Sequence, residues 1–593
     1  MKTNDHRIEL SQWKFQIDQE DVGESFGWYL PEHDHDAWME VVTPGTWDFY
    51  TYALRNYEGV GWFCAELGAM APDELRHHLA FTRVGGRAWV WVNGKFAGSN
   101  ILRHLPFNLD IQDLLQPGGF NKVVIKVDNS FQGDRHIPGG RKIEWVLYGG
   151  LTHKVELIAA PRRRIEHLDV RTNALGKTDV IVTVRNDETK DFSGKLQLGL
   201  DCDKSHSAEV EVRCLAGRQT QVSLFLQADE FTPWDLENPV LYNLCASLLE
   251  EGAQLHTASE RIGFRTIECQ GTQILLNGKP LFVRGFNRYD EIEPYGCSAP
   301  ERMIREDLGH IKHFGANLIR VHYPQDPLHL EIADELGLLY MLEVPLNWWN
   351  PDPCEKIEDY ADLEAEEKAT LDRTYAVFCN HPSWVFWSMS NECRYNGALG
   401  QSLLRTLAVR ARQLNSGRLI TNVVDALPNS GEELDFCDFI GFNLYHGVRQ
   451  QVRELSEVEP YVVEPTRKAL ERLVELYPNK PIVVCEFGSL SVQGMTGPNR
   501  MSETRHAEQL RLTAQAFAEC KNLSGMILWA WADYFHNRNF LLVGAFMSIR
   551  SLFGPYGVVT VDRKIKKAPY EALHEIFARS SSCSSVLYKS SKP

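Results

Sequence analysis

Asn380-His381-Pro382-Ser383-Trp384-Val385-Phe386-Trp387-Ser388-Met389-Ser390-Asn391-Glu392-Cys393 is the stretch that decides the fold. Asn380, His381 and Pro382 break the helical pattern before them. Trp384 to Met389 is a short, mostly apolar run without a helical period. It predicts a strand buried on both faces, as in a parallel sheet. The run stops at Ser390, Asn391 and Glu392. A carboxylate directly after a buried strand is costly without polar partners or a task. In a βα barrel that position is the C-terminal rim, where active sites are built.

A second stretch repeats the pattern. Lys480 and Pro481 break, Ile482 to Cys485 read as a buried strand, and Glu486-Phe487-Gly488 end it. Two strand-end glutamates at one barrel mouth suit double-displacement hydrolysis of a glycoside. One protonates the departing oxygen, the other attacks the anomeric carbon, and the two carboxyl groups stand about 5 Å apart. The plain alternative for either glutamate alone is an ion pair.

The strings N-H-P-S, W-S-x-x-N-E and, downstream, P-I-x-x-x-E-F-G resemble glycoside hydrolase family 2, the family of β-galactosidase, β-glucuronidase and β-mannosidase. The resemblance implies that Glu392 is the acid/base and Glu486 the nucleophile. It implies that Asn391 bonds the sugar 2-hydroxyl, for which a helix cap is the alternative. Gly441-Phe442-Asn443-Leu444-Tyr445-His446 carries the family's N-x-Y, so Asn443 lies at the site and Tyr445 donates to the nucleophile. Trp529 matches the tryptophan that floors the sugar site, with a core tryptophan as its alternative. Asn317, Arg320, His322, Tyr323, Pro324, Asp334 and Gly337 follow a further signature. One residue, Val321, separates Arg320 from His322 where the family has two, which predicts that His322 is turned to the opposite face. Arg320 is expected to support Glu486 or to form a buried ion pair. Asp290, where the family more often has Glu, is a candidate for sugar hydroxyls or a solvated loop residue.

The 593 residues exceed one domain and predict three or four. A net charge of −17 makes nucleic acid and anionic membrane poor partners. No run of about 18 apolar residues is present to span a membrane. Met1 to Phe15 lacks the apolar segment of a secretory signal, and the 13 cysteines are scattered without C-x-x-C pairs. Reduced thiols and a cytoplasmic location are the expectation. No cofactor and no metal are expected.

Residues 1–160 alternate in short runs between turns, and Val92-Asn93-Gly94-Lys95 is a type I′ hairpin signal. They predict a β jelly roll similar to a carbohydrate-binding module. Residues 161–267 predict an immunoglobulin-like sandwich that fixes domain geometry. From residue 268 strands alternate with helical periods. Eight candidate strands near 281–286, 316–321, 338–343, 384–389, 418–422, 438–443, 481–486 and 525–530 fit a (β/α)8 TIM barrel over 268–579. Residues 580–593, rich in Ser and Lys, predict a frayed tail.

The family's β-glucuronidases clamp the uronate with Asn-x-Lys. Here Gly554 and Tyr556 take those positions, with Arg550 nearby, and one arginine is thin support for a carboxylate. A retaining exo-β-glycosidase for a neutral sugar, β-galactoside first, is the expectation, with a β-uronide as the alternative. A transglycosylase with aromatic walls at Trp348 and Trp349, and a non-catalytic carbohydrate-binding protein, stay open. Homo-oligomers occur in the family, and no sequence feature decides the state here.

Overall fold

The computed structural model describes residues 1–68, 75–130, 144–201, 203–350, 360–414, 417–537 and 553–586. The N-terminal region is a sandwich of two antiparallel sheets. The larger runs in the order Met39–Val42, Gln12–Asp18, Val60–Leu67, Asn121–Asp128, Arg87–Val92 and Lys95–Asn100. The smaller joins His6–Glu9, Val155–Pro161, Leu75–Phe81 and Phe107–Asp110. Their inward faces interdigitate around Trp47, Phe63, Val90 and Ile125, all fully buried. The Asn93-Gly94 turn has both residues at positive φ, 52° and 76°, as a type I′ hairpin requires.

A second sandwich follows, with sheets of five and three strands between Arg163 and Ile262, the five-stranded one edged by Lys2–Thr3. Arg265, at its exit, is buried and donates to the carbonyls of Pro382, Gly417 and Trp384 (3.0, 2.7 and 2.8 Å). This pins the sandwich to the strand that carries the first catalytic candidate. A small three-stranded sheet over residues 267–281 then packs Ile267, Ile274, Leu276 and Leu281 against the barrel interior.

Eight parallel strands close in chain order: β1 Val283–Asn287, β2 Leu318–Arg320, β3 Leu339–Glu343, β4 Trp384–Asn391, β5 Leu419–Val424, β6 Ile440–Asn443, β7 Ile482–Phe487 and β8 Leu523–Leu528. Each lies where the apolar runs predict it. Helices α1 Glu301–His313, α2 Pro327–Leu336, α3 Ala361–Phe378, α4 Ala398–Leu414, α5 Glu459–Leu476, α6 Glu503–Phe517 and α7 Ala568–Val586 cover the outside. The connection from β5 to β6, residues 425–439, has turns in place of a helix. The helix α7 continues to Val586, well into the stretch expected to fray, and residues 587–593 lie outside the described ones. Among the described residues no helix is long and apolar enough to cross a membrane.

The N-H-P-S string is explained by packing. His381 Nδ1 lies 2.6 Å from Asp334 Oδ2, and the Ser383 N–H donates to Asp334 Oδ1 (2.9 Å). Asp334 on α2 thus orients the entry to β4, and Gly337 at φ 68° ends α2 in the left-handed conformation that glycine favours.

Glu367 on α3 stands apart. It is 1% exposed, neither carboxyl oxygen has a hydrogen-bond partner among the described residues, and burial raises its pKa well above the ordinary value. A raised folded pKa gives stability that is full below the unfolded value and lost as pH rises through the folded one. Glu367→Met is therefore expected to stabilise the fold at neutral pH by about 1–3 kcal/mol, less at pH 4 than at pH 8. Denaturant unfolding at the two pH values checks this, and a loss of stability at pH 8 contradicts it.

Candidate active site

Arg320, the last residue of β2, is the hub of the barrel mouth. It is fully buried. Its Nη1 donates to Glu486 Oε1 (2.7 Å) and Asn287 Oδ1 (2.9 Å). Its Nη2 donates to Glu343 Oε2 and Asn391 Oδ1 (both 2.8 Å). Burial opposes the guanidinium charge, but Glu343 and Glu486 outweigh it and hold the charge on. Glu343 ends β3 inside the barrel. Burial pushes its pKa up, yet Arg320 and His322 bring it below the ordinary value.

Glu486, in β7, has a second partner: the Tyr445 hydroxyl donates to its Oε2 (2.7 Å). Burial and the Glu486 charge keep that hydroxyl protonated, so it remains a donor. His322 Nε2 lies 3.8 Å from Glu486 Oε1, while its Nδ1 is held 2.7 Å from Glu343 Oε1.

Glu392 follows β4 directly, with its N–H bonded to the Val423 carbonyl of β5 (2.9 Å). Its backbone is left-handed, at φ 51°, a conformation that costs a β-carbon residue about 1–2 kcal/mol. Neutral groups meet its carboxyl: the Asn443 amide donates to Oε1 and the Trp348 indole to Oε2, both at 2.7 Å. Burial is the main cause of a pKa pushed up to about 8. The charges of Glu486 and then Asp425 add to it, and the two donors oppose it. Asn443 also donates to Asn391 Oδ1 (3.1 Å). An unbroken hydrogen-bonded path thus runs from Glu392 through Asn443, Asn391 and Arg320 to Glu486.

The walls come from distant parts of the chain. Trp529 follows β8 and is buried, its ring 5.0 Å from that of His322. Trp145, from the N-terminal sandwich, stacks on His322 at 5.6 Å and lies 5.5 Å from Tyr289. The adjacent Glu144 accepts the Asn537 N–H through its carbonyl (2.8 Å), and its charge adds to burial in raising the Tyr534 and Tyr556 hydroxyls. The N-terminal region therefore closes one side of the mouth.

Residues 267–576 match the family model described as glycosyl hydrolases family 2, TIM barrel domain, and residues 163–265 match that of glycosyl hydrolases family 2. The chain belongs to glycoside hydrolase family 2. A β-glucuronidase of Paenibacillus borealis is 27% identical over 561 residues, covering 88% of this chain and 90% of the relative. A β-galactosidase of Alteromonas mediterranea is 26% identical over 397 residues, covering 61% of this chain and 37% of the relative. Among solved structures, a β-galacturonidase of Eisenbergiella tayi bound to galacturonate superposes with a TM-score of 0.83 at 22% identity, covering 97% of both chains. The β-glucuronidase of Ruminococcus gnavus superposes at 0.82 and 24%, over 97% of this chain and 98% of the other. The likeness to the solved structures establishes the shared fold, and the family establishes a glycoside hydrolase acting on carbohydrate.

Within this family-2 barrel the predicted residues divide. Glu392, Glu486, Asn391, Asn443, Tyr445, Arg320, His322 and Trp529 gather at the mouth. Asn391 is no helix cap: it ends β4, and α4 starts at Ala398. His322 departs from expectation. The strand β2 stops at Arg320, so the face rule for strands does not reach it, and its ring lies with Arg320 beside Glu343 and Glu486. Asp290 also departs. Neither solvated nor open to a sugar, it forms a buried ion pair with Arg83 of the N-terminal sandwich and accepts from the Tyr323 hydroxyl (3.0 Å). It ties the two regions together. Trp349 is 4% exposed and packs on Tyr360, so it is no wall; Trp348 is held by Glu392. Arg550 lies outside the described residues.

Glu343, Asn287, Glu144 and Trp145 escaped the sequence reading. Glu343 had a signal, because Leu339-Tyr340-Met341-Leu342-Glu343 is another apolar run ending in a carboxylate. Glu144 and Trp145 had none, since their neighbours lie far along the chain, at Tyr289 and His322 for Trp145 and at Tyr534, Asn537 and Tyr556 for Glu144.

Proposed function

We propose that the protein is a retaining exo-β-glycosidase, with Glu392 as general acid and base and Glu486 as nucleophile. The unequal company of the two carboxyl groups carries this reading. Glu392 is buried among neutral donors and its pKa is pushed up to about 8, which suits an acid that must be protonated before it acts. Glu486 is met by a permanent cation and a hydroxyl, which hold and aim an attacking carboxylate.

The steps follow. Glu392 gives its proton to the glycosidic oxygen as Glu486 attacks the anomeric carbon, so the C–O bond breaks and a glycosyl ester forms. With Glu486 esterified, its charge no longer raises Glu392, which falls in pKa and becomes a base. Glu392 then takes a proton from water, the water oxygen bonds the anomeric carbon, and Glu486 leaves as carboxylate with the β configuration restored. Asn391, whose Oδ1 accepts from Arg320 and Asn443, has an amide nitrogen with no partner among the described residues, which serves the sugar 2-hydroxyl.

The sugar favoured is neutral, with β-galactoside first. Tyr556 stacks on Tyr534 at 5.6 Å where the uronate clamp would need a lysine. The nearby Lys567 is bonded to Asp533 and to the carbonyls of Ser491 and Pro555. A β-uronide is the second reading, supported by the relative named β-glucuronidase that this chain spans over 90% of its length. A panel of p-nitrophenyl β-galactoside, β-glucuronide, β-glucoside and β-mannoside decides between them. Turnover of the glucuronide alone overturns the neutral-sugar reading and keeps the mechanism.

The proton on Glu392 also fixes a pH dependence. kcat/KM is expected to fall on the alkaline side with an apparent pKa near about 8. Trp348→Phe removes a donor that lowers that pKa, so the alkaline limb moves to higher pH. A limb that moves to lower pH contradicts this account of Glu392.

A further inference from the structure

One carboxylate at the barrel mouth has no part in the steps above. Asp425 follows Val424, the last residue of β5, and β5 is the neighbour of β4. Asn391 pairs with Val423, and the Glu392 N–H bonds the Val423 carbonyl. Side chains alternate along a strand. Val423 packs in the barrel interior with Leu339, Met341 and Cys485, whereas Val424 packs outside against the helix layer. Asp425, two residues beyond Val423, continues the interior column past the last ring of the barrel. It stands at the rim beside Glu392, where it is exposed. It forms no ion pair and no side-chain hydrogen bond to another residue among the described ones, unlike Glu343, Glu392 and Glu486.

We propose that Asp425 builds the leaving-group side of the site, where its carboxylate accepts a hydroxyl of a departing neutral sugar and repels anionic leaving groups. This rests on the glycosidase reading above. The acid stands next to the glycosidic oxygen it protonates, so whatever departs must lie beside Glu392. Among the described residues, Trp348 and Asp425 both stand beside Glu392. Trp348 is half-buried, and its indole is held on Glu392 Oε2. Asp425 acts on Glu392 and on Tyr395 through its charge. An aromatic ring with an adjacent acceptor-only carboxylate is the chemistry that binds a sugar, with its apolar face on one side and its hydroxyl donors on the other. An aryl leaving group offers no donor to Asp425. An anionic one meets the negative charges of Asp425 and Glu486 while Glu392 is still protonated.

The test compares the best p-nitrophenyl glycoside of the panel with the β-linked disaccharide of the same glycon, lactose in the galactosyl case. Both are measured with the wild-type protein, Asp425→Asn and Asp425→Ala. Asp425→Ala is expected to lose about tenfold or more in kcat/KM on the disaccharide relative to its loss on the aryl glycoside. Asp425→Asn, which removes the charge and keeps the shape, is expected to move the alkaline limb of the aryl-glycoside profile to lower pH, a shift that a structural role would not produce. Equal losses on the two substrates, or a larger loss on the aryl glycoside, overturn the proposal alone. A wild-type protein silent on every aryl glycoside overturns the glycosidase reading and this proposal with it.

Discussion

Glu486→Ala loses about 10⁴-fold or more of kcat on every glycoside the protein hydrolyses, since removing the nucleophile removes the covalent path. The substitution leaves the fold intact. Arg320 keeps Glu343 as a counter-charge and Asn287 and Asn391 as acceptors, so the guanidinium is not left buried alone. The vacated space admits a small anion. With azide added, attack from the nucleophile's face yields the α-glycosyl azide, and turnover of an activated substrate returns in part. Steady-state kinetics, the azide product by NMR and the unfolding midpoint form one experiment. A loss below about 100-fold with the fold intact contradicts the role given to Glu486.

Glu392→Ala divides its effect by substrate. A poor leaving group needs the proton, so an unactivated β-glycoside is expected to lose about 10²–10⁴-fold. A dinitrophenyl glycoside departs unaided, and its first step falls far less. Its second step slows for want of the base, so the glycosyl ester accumulates and KM falls. Azide then intercepts the ester from the face that Glu392 served and yields the β-glycosyl azide, opposite in configuration to the product of Glu486→Ala. Equal losses on both leaving groups contradict an acid/base role.

The barrel and its two glutamates are legible in the sequence for one physical reason. A parallel strand buried on both faces reads as an unbroken apolar run, and its C-terminal end is marked by the first polar residue that the rim allows. Trp384–Met389 before Glu392, and Ile482–Cys485 before Glu486, both follow this rule. Glu343 follows it too, and so does Asp425 after Val424, so the same rule could have found both. Asp290 shows where the reading stops. A loop aspartate after β1 looks the same in sequence whether it meets a sugar or an arginine, and Arg83, about two hundred positions away, decides. His322 shows a second limit. The face rule depends on where the strand ends, and β2 ends at Arg320, two residues short of His322. Glu144 and Trp145 are set against the loops that follow β1, β2 and β8 by the docking of one region on another, which no local pattern encodes. The frayed tail is changed only in its first part: Ser-rich residues weaken an isolated helix, but α7, which packs Ala572, Leu573 and Phe577 into the core, runs on to Val586, and residues 587–593 lie outside the described ones.

The central claim is a glycosyl ester on Glu486. The most direct test is incubation with the dinitrophenyl 2-deoxy-2-fluoro-β-glycoside of the glycon that the panel selects. The fluorine slows both steps and the good leaving group restores only the first, so the ester persists. Intact-protein mass spectrometry is predicted to show one added fluoroglycosyl unit, and peptide mapping to place it on Glu486. An adduct on another carboxylate, or inversion of configuration in the hydrolysis product without any adduct, would contradict the account.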